Sequence, residues 1–600
     1  MRSNRISVGL QALETRLVHG IAWGERDHAL VKAIDGHQSS SNVRWLLWVI
    51  SMNQEERDEE LRWRLELLRT KFEEGKIHVA QEVAEGLEKS LMAVRYSADG
   101  KINLGTVDGR VRAMAMAVAG MHNREREKDA ASLSTITEAY FEFVERNLGF
   151  FVKSAKEMGA NANEFAHIVS RHPLSVEQYS PQIPKFLEGL EEFWGAVTDA
   201  SHYHIQDMKS TKAVYGGDLF PSYDRNIASS AGLYIDTIVL SDPFWHSRHI
   251  FQMSPPETQL YYLVKHAVNV MGYRDLATAK LDNPIVVVTP FRSSVDEAEI
   301  EFLKRISERD GVAHAHRLFG REFENIDDLF AFCNELDTPE KAAAHIADRD
   351  RFLFDTDWTG GMEEQIARAF ERDGHLLPPG SGLGQVLASQ CVGRMMQATD
   401  ILLKSRYLGG TPLMDAPTSW RYFNWKLEYN SSITPDNTHL HMVKGLQRAA
   451  DTDMEWLGNI PPAALIEMRQ QGAFHEIRDV LSAGVSEIAE AKPDAFFRSS
   501  DKIVENIQEA FDQHQRNVKE LRNKGFKFAG HDLGSWISVG AVEIAAIATG
   551  TPFFGAAAFA ANQILDVPKL KELPERFREL KNAHKELKKS PMGLFFAHKD

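Results

Sequence analysis

The chain has 600 residues and a formal net charge of -16 at pH 7. This length predicts several folding units, with ample chain to bury their cores. A net acidic protein is not expected to bind nucleic acid generically, because neutralising phosphates requires clustered Lys and Arg. Only two cysteines occur, which excludes a disulfide framework and favours a reducing, cytoplasmic location.

The N-terminal part of the chain has a helical apolar pattern. Leu61, Leu65 and Leu68 recur at helical spacing, and Gly75 follows where a C-terminal cap belongs. The first residues contain no continuous apolar region, so no signal peptide is predicted. We therefore predict a helical domain over residues 1–220.

The central stretch Leu233–Thr359 alternates strand-like runs with helical segments. Runs rich in β-branched or aliphatic residues predict four strands, at Leu233–Leu240, Ile285–Thr289, Val312–Leu318 and Arg351–Asp355. Helical crossovers between strands indicate a parallel sheet, because a tight hairpin cannot join parallel strands. The predicted fold class is mainly α with a small central parallel α/β unit, over residues 228–375.

The ends of the predicted strands carry the candidate ligand-binding residues. In parallel sheets, ligands bind beyond the carboxyl ends of the strands. Asp242 and Thr289 lie at two of these ends, and Arg292 and Ser293 follow the second one. These four residues predict a site for a small anionic ligand, such as a phosphate-bearing molecule.

The run Phe352–Thr359 reads FLFDTDWT, an apolar segment that ends in a DxDxT pattern. It resembles the first motif of haloacid-dehalogenase-like phosphotransferases. The resemblance implies that Asp355 attacks a phosphoryl group, that Asp357 acts as acid and base, and that a divalent metal lies nearby. No later strand with an acidic pair completes such a metal site. The alternative is that Asp357 or Thr359 caps the helix predicted over Met362–Arg372.

Histidine pairs at i, i+2 supply the candidate metal ligands. On a strand, both rings of such a pair project from the same face, a geometry that suits a metal ion. His314 and His316 lie in the predicted strand Val312–Leu318 and are the predicted ligands of a divalent cation. The alternative is a half-buried pair without metal, because no further ligand is fixed by spacing.

The C-terminal part changes character at Trp536–Leu565, which is almost wholly small or apolar. Gly550 to Pro552 splits it into pieces that are each shorter than the ~20 residues of a transmembrane helix. It is either a buried helical hairpin or a hairpin that enters a bilayer, followed by a basic tail that suits anionic headgroups. The predicted regions are a helical domain over 385–530 and this hairpin with a basic helix over 531–600.

Two functions follow from these patterns. In the first, an intracellular protein binds a phosphate-bearing or anionic ligand in its α/β unit, and hydrolyses or transfers it if Asp355 and Asp357 are catalytic. In the second, a non-catalytic effector or assembly protein contacts a membrane or a partner through the apolar residues 536–565. Either function is compatible with a homo-oligomer.

Overall fold

The structure, a computed structural model, describes most of the chain between residues 54 and 597. The described ranges are 54–77, 81–217, 220–221, 226–291, 297–354, 358–373, 382–429, 437–452, 454–491, 496–523, 527–528, 531–532, 586 and 589–597. Of these, one compact unit contains the residues up to Ile136 together with Trp194–Asp207 and Pro290–Arg305. The second unit contains Thr137–Phe193, Met208–Thr289 and the residues from Ile306 onward.

Helices dominate the described ranges, which confirms the predicted fold class. In chain order they are α1 (Gln54–Glu73), α2 (Gln81–Met92), α3 (Gly109–Ala130), α4 (Leu133–Met158), α5 (Ala162–Ser170), α6 (Pro173–Tyr179), α7 (Ile183–Asp207), α8 (Ala228–Ala231), α9 (Pro243–His246), α10 (Arg248–Met253), α11 (Pro256–Met271), α12 (Arg274–Thr278), α13 (Glu297–Phe319), α14 (Ile326–Asn334), α15 (Pro339–Ala344), α16 (Met362–Asp373), α17 (Gly384–Leu408), α18 (Pro417–Tyr429), α19 (Asn437–Asp451), α20 (Pro462–Gln470), α21 (Phe474–Ser482), α22 (Val485–Ala491), α23 (Phe496–Asn523) and α24 (Pro591–Phe596).

The first unit is built around helices α1, α2 and α3. Leu65 and Leu68 of α1 pack in one apolar core with Val111 and Ala115 of α3. Gly75 has a φ of 67°, so it follows α1 in the left-handed conformation that glycine adopts most readily. The core-facing helix and its glycine cap are therefore as predicted.

The second unit contains a four-stranded parallel sheet in the order β3-β2-β1-β4. Its strands are β1 (Lys212–Tyr215), β2 (Thr237–Ser241), β3 (Val286–Thr289) and β4 (Thr411–Leu413). Every residue of these strands is buried. Because successive side chains of a strand point to opposite faces, both faces of the sheet must be covered. A separate antiparallel pair, β5 (Lys527–Phe528) and β6 (His531–Asp532), lies near the C-terminal end.

Two of the four predicted strands form. The run Ile285–Thr289 is β3, and the run Leu233–Leu240 contains most of β2. The prediction at Val312–Leu318 is wrong, because this run is the last part of α13. The prediction at Arg351–Asp355 is wrong as well, because Arg349–Arg351 is a 3-10 helix and no strand follows in the described residues there.

Asp310 and Gly311 precede the run Val312–Leu318 and predict a break before a strand, yet α13 continues through them. A Cβ atom on Gly311 would lie 3.0 Å from the Cα of Val392 in α17. Gly311 therefore permits a close approach of α13 and α17 and does not end the helix. The apolar run after it is buried against neighbouring helices, with Ala315 and Leu318 in the core.

A buried ion pair joins α13 to α18. Lys426 Nζ donates to Asp310 Oδ2, and the two residues are 1% and 3% exposed. Such a pair contributes little net stability over apolar residues of the same shape, because both charges lose their hydration. Removing only one partner leaves the other charge buried and unpaired, which is strongly unfavourable.

We expect the Lys426→Met substitution to lower the free energy of unfolding by about 3–5 kcal/mol. Combining it with Asp310→Leu should recover most of this loss, because no buried charge is then left. Urea denaturation measures both effects. Lys341→Met is the matched control, since Lys341 and Asp337 form an exposed pair with side chains 45% and 71% accessible. Equal losses at Lys426 and Lys341 would contradict the expectation.

Candidate functional site

The structure brings Asp242 and Thr289 together at the carboxyl ends of β2 and β3. The Asp242 amide donates to the Thr289 carbonyl at 3.1 Å, and both residues are fully buried. Asp242 Oδ1 accepts from the Trp245 amide at 2.8 Å, so this carboxylate caps α9. Burial, and then the Asp242 carboxylate, raise the pKa of the Tyr140 hydroxyl. The Asp242 carboxylate therefore has partners within the fold.

The structure does not describe the other four residues that were predicted for the ligand-binding and catalytic roles. Arg292, Ser293, Asp355 and Asp357 lie outside the described residues. The ligand-binding and catalytic roles assigned to them stay predictions. The helix predicted after the DxDxT pattern is present as α16.

The topological switch point of the sheet lies between β1 and β4, where Gly216 and Gly217 follow β1. A Cβ atom on Gly216 would lie 2.6 Å from Ile401 Cδ1. One on Gly217, whose φ is +84°, would lie 3.1 Å from Met414 Cγ and 3.2 Å from Ser419 Cβ. Side-chain packing therefore accounts for this glycine pair, and the space beside it is filled.

His314 and His316 lie on helix α13 and not on a strand. The prediction that both rings project from one face and bind a metal ion together therefore loses its geometric basis. Residues two apart on a helix do not face the same side. His314 Nδ1 is 2.9 Å from the Tyr429 hydroxyl, and His316 Nε2 accepts from the Phe323 amide at 2.8 Å. Burial lowers the pKa of His314 to about 4, so its ring is neutral at pH 7.

No group of three His, Cys, Asp or Glu side chains that could hold a metal ion occurs among the described residues. Within those same ranges, no helix is long and apolar enough to cross a membrane. The apolar segment Trp536–Leu565 lies outside them. Its buried or membrane-entering character therefore stays a prediction.

A cleft of about 390 Å³ opens at the amino ends of β1 and β4, opposite to the predicted edge. We call it the amino-edge cleft. Its polar lining comes from the start of β1 and the residues before it, from the end of α17, and from the starts of β4 and α19: Lys209, Ser210, Thr211, Lys212, Ser405, Arg406, Thr411 and His439. Lys209, Lys212 and Arg406 are the Lys and Arg residues among these eight.

The polar groups of the amino-edge cleft are short of partners. Ser210 Oγ and Ser405 Oγ are buried without a hydrogen-bond partner in the described part of the chain. Lys209 and Arg406 are exposed, and neither forms an ion pair with any described side chain. Buried hydroxyls normally find partners, so these two hydroxyls beside exposed cations make the cleft a candidate site for a ligand.

Asp236 holds the segment 209–212, which supplies four of the eleven residues that line the cleft. Its Oδ2 accepts from the Thr211 amide at 2.8 Å and from Thr211 Oγ1 at 2.7 Å. Arg478 pairs with the same carboxylate at 2.7 Å, which offsets its negative charge. Lys212 Nζ donates to the Met208 carbonyl at 2.9 Å and so fixes the turn before β1. These bonds hold the backbone at the cleft in one conformation.

The sequence reasoning missed the amino-edge cleft because it missed both strands that frame it. β1 and β4 are four and three residues long. Such runs are too short for a period-two pattern to be recognised. The pair of lysines at Lys209 and Lys212, just before an aliphatic run, was the one local signal.

Comparisons with known proteins give no further assignment. The chain matches no family model, no curated protein and no solved structure. The chemistry of the site is therefore the basis for a function.

The Asp236 network generates a prediction about acid stability. Burial raises the pKa of Asp236, but hydrogen bonds from Thr211 and the charge of Arg478 outweigh it, so the pKa lies below 3.8. A carboxylate whose pKa is lowered on folding contributes stability above its unfolded pKa and loses it as the pH falls through the folded value.

We therefore expect Asp236→Asn to lower the free energy of unfolding by about 1.5–3 kcal/mol at neutral pH, and by progressively less as the pH falls below 3.8. Urea denaturation at neutral pH and at a pH below 3.8 measures the loss of free energy of unfolding under each condition. Asp337→Asn is the control, since the Asp337 side chain is 71% exposed. A loss at Asp236 that does not change with pH would contradict the network.

Proposed function

We propose that the second unit binds a small anionic ligand, phosphate-bearing or carboxylate, in the amino-edge cleft, whose lining residues lie outside the predicted α/β unit 228–375. One observation carries this proposal: two unpaired cations and two buried hydroxyls without partners line the same cleft. The volume of about 390 Å³ also falls within the range of ~300–1,000 Å³ found for small-molecule sites.

The chemistry of the lining favours an anion. Arg406 presents a planar fork of N–H donors that matches the oxygens of a phosphate or a carboxylate. Lys209 adds an exposed charge, and Lys212 adds a buried ammonium that also donates to the Met208 carbonyl. Ser210 and Ser405 can each donate one O–H to an oxygen of the ligand, which removes the cost of leaving them unpaired.

Binding is the activity proposed. Hydrolysis or transfer by Asp355 and Asp357 with a divalent metal remains a prediction, because both residues lie outside the described ranges. The same holds for membrane or partner contact through residues 536–565.

We expect Arg406→Gln to weaken binding of pyrophosphate about tenfold or more, because one charge-assisted interaction of about 1.5–3 kcal/mol is lost. Isothermal titration calorimetry at constant ionic strength measures the change. Arg171→Gln is the matched control, since Arg171 is also exposed and unpaired among the described residues but does not line the cleft.

Two results would contradict the proposal. One is an Arg406→Gln protein that binds pyrophosphate as tightly as the wild-type protein does. The other is a wild-type protein that binds neither pyrophosphate nor citrate, which represent the phosphate and the carboxylate ligands.

Ser405→Ala separates a ligand-binding hydroxyl from a structural one. Ser405 Oγ has no partner in the described structure, so its removal should leave the free energy of unfolding unchanged or raise it by up to about 1 kcal/mol. Binding of pyrophosphate should weaken at the same time. Thermal denaturation and calorimetry measure the two effects. A destabilised variant with unchanged binding would assign Ser405 to the fold alone.

A further inference from the structure

A second cavity, of about 290 Å³, opens beside the first turns of α7 and the helices α9 and α10. All of its lining residues belong to the second unit. Helix α9 begins directly after Asp242, at the carboxyl end of β2, and ligands of open parallel sheets bind beyond that end. The volume is near the lower limit for small-molecule sites, about 300 Å³. We call this site the α9 cavity.

Buried contacts hold the walls of the α9 cavity together. Phe186 of α7 packs edge-on against Phe244 of α9, with ring centroids 5.0 Å apart. Ser247, between α9 and α10, has its Oγ 2.8 Å from His266 Nε2 of α11, and both residues are buried. The helices that line the cavity are therefore fixed to one another and to α11. A site with fixed walls does not have to be ordered when a ligand binds.

The wall of the α9 cavity is mainly apolar and includes one unused hydrogen-bond donor. Its apolar and aromatic residues are Ile183, Pro184, Leu187, Leu190, Trp245 and Phe251. Trp245 is 8% exposed, and its Nε1 is buried without an acceptor among the described residues. A buried indole N–H normally has a partner. The wall therefore suits an apolar group that carries an acceptor.

Charged groups of both signs line the same cavity. Glu188 is exposed and forms no ion pair or hydrogen bond with any described residue. Arg248 donates to Glu191 at 3.4 Å, with side chains 29% and 59% accessible, and its guanidinium carbon lies 4.4 Å from the centroid of the Trp245 ring. So exposed a pair contributes little stability, and a guanidinium has five N–H donors. Arg248 can therefore bind an acceptor on a ligand at little cost.

We propose that the α9 cavity binds a free apolar α-amino acid, such as phenylalanine or leucine. The ammonium group of the ligand pairs with Glu188, and its carboxylate accepts from Arg248 and from Trp245 Nε1. The apolar side chain contacts Leu187 and Phe251. A ligand with only one charge leaves either the carboxylate or the guanidinium of the site without a partner. This site is separate from the amino-edge cleft, because the two share no lining residue.

Three ligands that share a phenyl ring separate the two charges. L-Phenylalanine carries both charges, phenylpropionate lacks the ammonium group, and phenethylamine lacks the carboxylate. We expect the full chain to bind L-phenylalanine about tenfold or more tightly than either analogue, because each analogue loses one charge-assisted hydrogen-bonded group. Isothermal titration calorimetry at constant pH and ionic strength measures the three dissociation constants.

Two charge variants locate the ligand in the α9 cavity. Glu188→Gln and Arg248→Gln should each weaken the binding of L-phenylalanine about fivefold or more. Glu177→Gln and Arg274→Gln are the matched controls, and neither residue lines the cavity. Glu177 is exposed and unpaired among the described residues, as Glu188 is. Arg274 forms an exposed pair with Glu145, with side chains 38% and 48% accessible.

Three results would overturn the proposal. The first is a wild-type protein that binds neither L-phenylalanine nor L-leucine. The second is an analogue with one charge that binds as tightly as L-phenylalanine does. The third is an unchanged affinity for L-phenylalanine in both charge variants. Circular dichroism checks that the variants are folded, and if one is not, the dissociation constants of the wild-type protein still decide the matter.

Discussion

Complete burial of the four short strands is the constraint on which the second unit depends. Strands of three to five residues carry few hydrogen bonds, and none of their residues faces solvent. Helices must therefore supply the apolar surface on both faces. Polar groups near the sheet are either paired within the fold, as Asp242 is, or lie at one of its two ends. Chemistry is consequently restricted to those ends.

The sequence predicted the parts of the sheet that have strong local patterns. β3 follows from an unbroken β-branched run, and β2 follows from most of another one. β1 and β4 lack such runs, and Pro412 within β4 argues against a strand on local grounds. The false strand at Val312–Leu318 arose because Gly311 looked like a breaker. Its real role, a close approach to Val392 of α17, is a tertiary contact that no local pattern contains.

The amino-edge cleft could not be predicted from the sequence, because it also depends on tertiary contacts. Its cations come from Lys209 and Lys212 on one side and from Arg406 on the other, nearly two hundred positions apart in the sequence. An acidic chain can still assemble such a basic site, and the Asp236 carboxylate, which binds Thr211 beside the cleft, is paired with Arg478. A negative net charge therefore disfavours generic binding to polyanions, but it does not determine the electrostatic potential inside one cleft.

Helix α19 connects the amino-edge cleft to the network around Asp236. It contributes His439 to the cleft, and His439 Nδ1 lies 2.8 Å from the Tyr234 hydroxyl. Arg478, which pairs with Asp236, lies 5.6 Å from the centroid of the Tyr234 ring. The residue that α19 presents to the cleft and the network that holds the segment before β1 therefore meet at Tyr234, so the two sides of the cleft are not positioned independently.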